Sequence, residues 1–160
     1  MHSIVMRLAI AAAVAISLLG CAPEKASPLE GAWELVDAKY APADPTFSLT
    51  TYRQIKILTK THWAYLSQDR SAPKLTNGSD AELLAAAKTF GAGGGTYILD
   101  GDTYTEHVEF FATPNLVGAS LKFKIKWEGD EWIQTGTLPL KALGWGEKDL
   151  ELYERYRRIK

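Results

Sequence analysis

Leu121-Lys122-Phe123-Lys124-Ile125-Lys126-Trp127 alternates apolar and basic residues without a break. Successive side chains of a β-strand point to opposite faces, so this stretch is a strand with one apolar face and three lysines in water. The lysines could mark an anionic binding surface, but a solvated strand face accounts for them without a partner. Glu128-Gly129-Asp130 turns the chain, and residues 131–137 return as the partner strand with Trp132 and Ile133. A second hairpin runs up over 95–99, turns at Asp100-Gly101-Asp102 and comes back over 103–111. Further strands are expected at 32–40, 52–59, 62–67 and 150–159. The total is about eight, at spacings that suit an antiparallel sandwich or barrel. Ser79-Asp80-Ala81-Glu82 is a capping box opening a helix over 83–90, with Gly91 as its stop. Residues 114–118 can form one helical turn between strands. No internal repeat or second-domain boundary is evident.

Outside this domain lies a leader. One basic residue, Arg7, precedes a short apolar run over 8–19, the layout of a secretory signal peptide and too short for a membrane span. The run ends in Leu18-Leu19-Gly20-Cys21, which resembles the bacterial lipobox. That resemblance implies cleavage before Cys21, lipidation of its thiol and an envelope location. Because Ala22 is not the Asp associated with inner-membrane retention, the outer membrane, facing the periplasm, is expected. The chain thus divides into a leader (1–20), a lipidated Cys21 with a short tether (21–29), and a folded domain (30–160).

Gly31-Ala32-Trp33 at the start of the first strand resembles the lipocalin and wider calycin signature. The resemblance implies an up-and-down β-barrel in which this Trp closes one end beneath a basic residue from a late strand. Arg155, Arg157 and Arg158 are available for that cation–π contact. Residues 93–109, Gly-Gly-Gly-Thr-Tyr-Ile-Leu-Asp-Gly-Asp-Thr-Tyr-Thr-Glu-His-Val-Glu, followed by Pro114-Asn115-Leu116-Val117-Gly118, are similar to small bacterial lipocalin-like domains. That group carries no assigned activity to transfer. The expected fold is therefore an all-β, antiparallel, lipocalin-like barrel with one short helix.

Composition narrows the chemistry. With 18 basic and 19 acidic residues there is no basic footprint for nucleic acid, and removal of Arg7 with the leader makes the chain more acidic. A single cysteine excludes a disulfide framework, a Cys-based zinc cluster and a Cys-x-x-Cys redox pair. No serine lies in a Gly-x-Ser-x-Gly elbow. Gly91-Ala92-Gly93-Gly94-Gly95 follows a helix and opens a strand, the reverse of a nucleotide loop, and reads as a helix cap and mobile rim loop. His62 and His107 with Glu106 or Glu109 could supply metal ligands, but no His-x-His or His-x3-His spacing supports it. No cofactor is expected.

The richest segment is 103–111. Period two puts Thr105, His107 and Glu109 on one face, and Tyr104, Glu106, Val108 and Phe110 on the other. His107 and Glu109 are then about 7 Å apart along the strand. That pair could serve as polar ligand contacts, or as the acid–base pair of a calycin-type isomerase or hydratase, if its face points inward. Otherwise it is the solvated exterior. The expected function is binding of a small apolar or amphipathic ligand. The pocket would be drawn from Trp63, Tyr65, Tyr97, Tyr104, Phe123 and Trp132, with His107 and Glu109 as polar contacts. A protein-interaction module of the envelope is the remaining alternative, although no protein partner is evident.

Overall fold

The computed structural model describes residues 26–42, 47–72 and 74–160. The leader, Cys21 and most of the tether therefore lie outside the described residues. Eight strands follow in order: β1 (Gly31–Ala41), β2 (Tyr52–Leu58), β3 (His62–Asp69), β4 (Phe90–Asp100), β5 (Thr103–Phe111), β6 (Ser120–Glu128), β7 (Glu131–Leu138) and β8 (Leu150–Arg158). Each pairs antiparallel with the next, and β8 pairs with β1, so the sheet closes into a barrel. Closure leaves no unpaired edge strand. The only α-helix among the described residues, α1 (Asp80–Ala87), interrupts the β3–β4 connection. Ser79 caps it through the Glu82 amide, but the helix runs on the surface with none of its residues buried. A single 3-10 turn at Pro114–Leu116 joins β5 to β6.

Strand β6 realises the alternation directly. Leu121, Phe123 and Ile125 are buried inside while Lys122, Lys124 and Lys126 are exposed, and the fourth apolar group, Trp127, is 41% exposed at the strand's end. The glycine run is different from expectation. Gly91 to Gly95 are neither cap nor rim loop; they lie within β4, paired with Ser67, Leu66, Tyr65, Ala64 and Trp63 of β3. The reason is crowding, because a Cβ at Gly93 would sit 2.6 Å from the Phe111 ring and 2.7 Å from that of Tyr65. Glycine supplies the strand while giving its inner volume to those two aromatic rings.

Two bulges re-aim side chains. Opposite Gly94 and Gly95 stand Phe110 and Val108, so Glu109 is the extra residue in β5. A Cβ at Gly95 would lie 2.0 Å from the His107 carbonyl oxygen, which leaves glycine as the residue that fits against this bulge. The bulge reverses the parity of the strand: Phe110 is 71% exposed and Phe111 turns inward. A second bulge in β1, between Leu35 and Asp37, carries the inward face from Trp33 and Leu35 to Ala38 and Tyr40.

The two ends of the barrel differ. At one end lie the short turns β2–β3, β4–β5 and β6–β7, together with the start of β1 and the end of β8. Trp33, with no exposed surface, fills this end, meeting Trp127 and Trp132 at ring-centroid distances of 5.9 and 6.1 Å. Its Nε1 donates to the Leu29 carbonyl at 2.7 Å, and the Arg158 guanidinium covers its ring at 4.1 Å. Arg158 also donates to the Glu30 carbonyl at 2.7 Å. Gly31, at φ +136°, passes so close beneath Arg158 that a Cβ there would lie 2.1 Å from Nη1, which explains the glycine two residues before the Trp. The opposite end carries the longer connections.

Candidate functional site

Midway along the barrel the interior changes from apolar to polar. Strand β2 sends Gln54 and Lys56 inward, β5 sends Glu106, β7 sends Gln134 and β8 sends Glu154; each is at least nine-tenths buried. Burying such groups is costly unless every one is paired, and here they are joined in one network. The Lys56 ammonium donates to Glu106 at 2.7 Å and to the Gln134 amide oxygen at 3.1 Å. Gln134 then donates through Nε2 to Glu154 at 2.7 Å. Glu154 accepts two further hydrogen bonds, from the Tyr156 hydroxyl at 2.7 Å and the Tyr40 hydroxyl at 2.9 Å. Gln54 donates to the Tyr156 oxygen at 2.6 Å and accepts from Tyr52 at 2.8 Å. Around the layer, the rings of Trp63, Tyr104, Trp132 and Tyr156 stand 5.4 to 5.7 Å from the Lys56 nitrogen.

Above this layer, toward the long connections, is a cavity of about 260 Å³. Lys56, Glu106, Gln134 and Glu154 form its polar base. Trp63, Tyr65, Phe111, Leu121, Phe123 and Leu152 are prominent in its walls, while Leu140 and Trp145 of the β7–β8 connection stand at its mouth. That connection is fixed to the 3-10 turn: Asn115 donates from Nδ2 to the Leu143 and Gly144 carbonyls at 3.1 and 3.4 Å. The indole Nε1 of Trp63, a wall residue only 2% exposed, has no hydrogen-bond partner.

Electrostatically the interior is negative. Glu106 is matched by Lys56, whereas Glu154 is held by three neutral donors and, among the described residues, by no lysine or arginine. The surrounding phenols register this. Tyr40, Tyr52, Tyr65, Tyr104 and Tyr156 are all raised above the usual tyrosine pKa, chiefly by burial. The negative charge of Glu154 adds at every one, and that of Glu106 at Tyr65, Tyr104 and Tyr156. All five phenols therefore stay protonated at neutral pH; Tyr40 and Tyr156 donate to Glu154 and Tyr52 to Gln54, while the Tyr104 hydroxyl is buried without a partner.

The residues expected from sequence divide into three groups. Trp63, Tyr65 and Phe123 line the cavity. Tyr97, Tyr104 and Trp132 are buried in the barrel but belong to the packing beneath the polar layer; Tyr97 donates to the Thr59 carbonyl at the closed end. His107 and Glu109 are on the outside. His107 contacts Ser120 Oγ at 2.9 Å through Nδ1, and Glu109 is exposed at the bulge. Strand β5 turns Tyr104, Glu106 and Val108 inward instead, which removes the reading of His107 with Glu109 as interior contacts or as an acid–base pair. His62 is likewise exposed, against Thr61. Among the described residues no group of three His, Cys, Asp or Glu side chains comes together to hold a metal.

Sequence reasoning missed Gln54, Lys56, Gln134 and Glu154, and passed over the inward direction of Glu106. One signal was available. Across the β2–β3 hairpin Leu58 faces Trp63 and Lys56 faces Tyr65, so placing the two aromatics inside places Lys56 inside too. Comparisons with protein-family models, with curated proteins and with solved structures find no match to this chain.

Proposed function

We propose that this chain is a lipocalin-like envelope lipoprotein that binds one small amphipathic molecule inside its barrel. The observation that carries the reading is the cavity itself: apolar walls above a polar base, open toward the longer connections. A barrel serving only as a rigid body would fill this space with side chains, as it does around Trp33. The volume, about 260 Å³, is near the lower limit of the ~300–1,000 Å³ typical of small-molecule sites, so the ligand is small. Its apolar part contacts Phe111, Leu121, Phe123 and Leu152, and its polar part reaches the Gln54–Glu154 layer. The lipobox-like Leu18-Leu19-Gly20-Cys21 supports tethering by lipid on Cys21, which would hold the barrel at the outer membrane.

Native mass spectrometry of the Cys21→Ser chain with 2-phenylethanol, a neutral amphipathic probe of suitable size, tests this reading. The expected result is saturable one-to-one binding that disappears in Leu121→Trp, where the larger ring occupies the cavity. Absence of binding by this probe and by its amine and acid counterparts of similar size, or binding that Leu121→Trp leaves intact, would overturn it.

A further inference from the structure

The layer beneath the cavity holds one cation and two carboxylates. Lys56 spends its charge on Glu106, at 2.7 Å. Glu154 is left with Tyr40, Gln134 and Tyr156 as donors and no compensating positive charge among the described residues. An ionised carboxylate offers about four acceptor sites, so these three bonds leave one for a further donor. Both carboxylates line the cavity, and so do the rings of Tyr40, Tyr52, Trp63 and Tyr65. Aromatic faces attract a cation and give nothing to an anion. An acidic ligand would add a second uncompensated negative charge to a water-poor interior, whereas a positive one would neutralise the first.

We propose that the cavity selects a small primary amine with an aromatic or short apolar body, its ammonium meeting Glu154 among the surrounding tyrosines. This rests on the ligand-binding reading above and specifies its ligand class. Neither His62 nor His107 takes part, since both are on the outside. Lys56 also lines the cavity base, but it acts as the counter-ion of Glu106 and not as an anion receptor, its nitrogen being held by Glu106 and Gln134 amid four aromatic rings.

Three probes of nearly equal size separate the possibilities: 2-phenylethylamine, 2-phenylethanol and 3-phenylpropionate. Their dissociation constants for the Cys21→Ser chain at neutral pH are to be measured by calorimetry or native mass spectrometry. The expected order is amine first, at least tenfold tighter than the alcohol, with the acid weakest. In E154Q, which retains size and an acceptor oxygen, the amine should fall to within about threefold of the alcohol measured on the same variant. Equal affinity for amine and alcohol, or the acid binding tightest, would overturn the amine assignment and leave the pocket standing. No binding of any probe would overturn both. A folded E154Q that keeps the amine preference would refute the role of Glu154; if E154Q does not fold, the wild-type order decides the proposal.

Discussion

At the Trp33 end of the barrel, three tight hairpins draw the strands together over a dry aromatic plug. At the opposite end, longer connections hold the strands' ends apart around a cavity. The same eight strands run through both halves, so the difference comes from what points inward. In the closed half it is Trp33, Trp132, Tyr104 and Tyr156, packed ring against ring. In the open half glycines replace side chains at Gly91 and Gly93, and the remaining groups stand back from the axis. The Lys56–Glu106–Gln134–Glu154 layer divides the two. Stability is thus concentrated below the layer and ligand space above it, and substitutions in the two halves should have separable effects.

The largest loss is expected from Trp33→Ala. It removes a fully buried indole, its hydrogen bond to Leu29 and the surface that Arg158 covers, for about 3–5 kcal/mol or more by denaturant unfolding. If the closed half carries the stability as described, any folded fraction still binds its ligand, since Trp33 is remote from the cavity lining. Nearly as large is Lys56→Met, which leaves Glu106 buried without its counter-ion at a cost of about 3–5 kcal/mol. The double variant Lys56→Met with Glu106→Leu should recover much of that loss. Failure to recover it would mean that Lys56 stabilises through its four neighbouring rings and not chiefly through the ion pair.

These substitutions also show what was legible in the sequence. The strands of hairpins such as 121–137 could be read because one face is wet and one dry, and glycine turns mark their ends. Trp33 and a covering arginine were expected from the resemblance of Gly31-Ala32-Trp33 to the calycin signature, which left Arg155, Arg157 and Arg158 open; the structure places Arg158 over the ring. Strand β4 was readable over 95–99 but not in its glycine-rich first half, because glycines carry no apolar pattern and β3 with Phe111 supplies the packing. The two faces of β5 could be separated up to Val108, but not which of them points inward, and the alternation is lost at Glu109, where one extra residue exchanges Phe110 for Phe111. Strand β2 misleads most: Ile57, with the apolar side chain, is 43% exposed, while Lys56 is buried. Period-two reading assumes that polarity and direction agree, and at a polar layer inside a barrel they do not.

At the open end the effects move from stability to affinity. Trp145→Ala removes a half-exposed ring at the mouth, so unfolding should change by under about 1 kcal/mol. Probe affinity should nonetheless drop by roughly five- to tenfold, an aromatic contact's share of binding. A large stability loss here would erase the distinction between the ends. The smallest effect belongs to α1, on a connection of the open end. Glu82 accepts from the Thr76 hydroxyl and from the Thr76, Asn77 and Gly78 amides, which pull its pKa from 4.5 down to about 2. A carboxylate with a depressed folded pKa stabilises above its unfolded value and loses that contribution as pH falls through the folded one. The Thr76 and Gly78 amide resonances should therefore hold their positions down to about pH 4 and shift as pH nears 2, with the barrel core still intact.

Whether one barrel holds a sealed end and a binding end is decided by the indole N–H signals in a heteronuclear NMR titration with 2-phenylethylamine. Trp63 and Trp145 line the cavity; Trp33 and Trp127 belong to the plug. Saturable shifts are expected at Trp63 and Trp145, with Trp33 and Trp127 unmoved. Shifts confined to Trp33 and Trp127, or no shift at any indole under saturating probe, would contradict that division of the barrel.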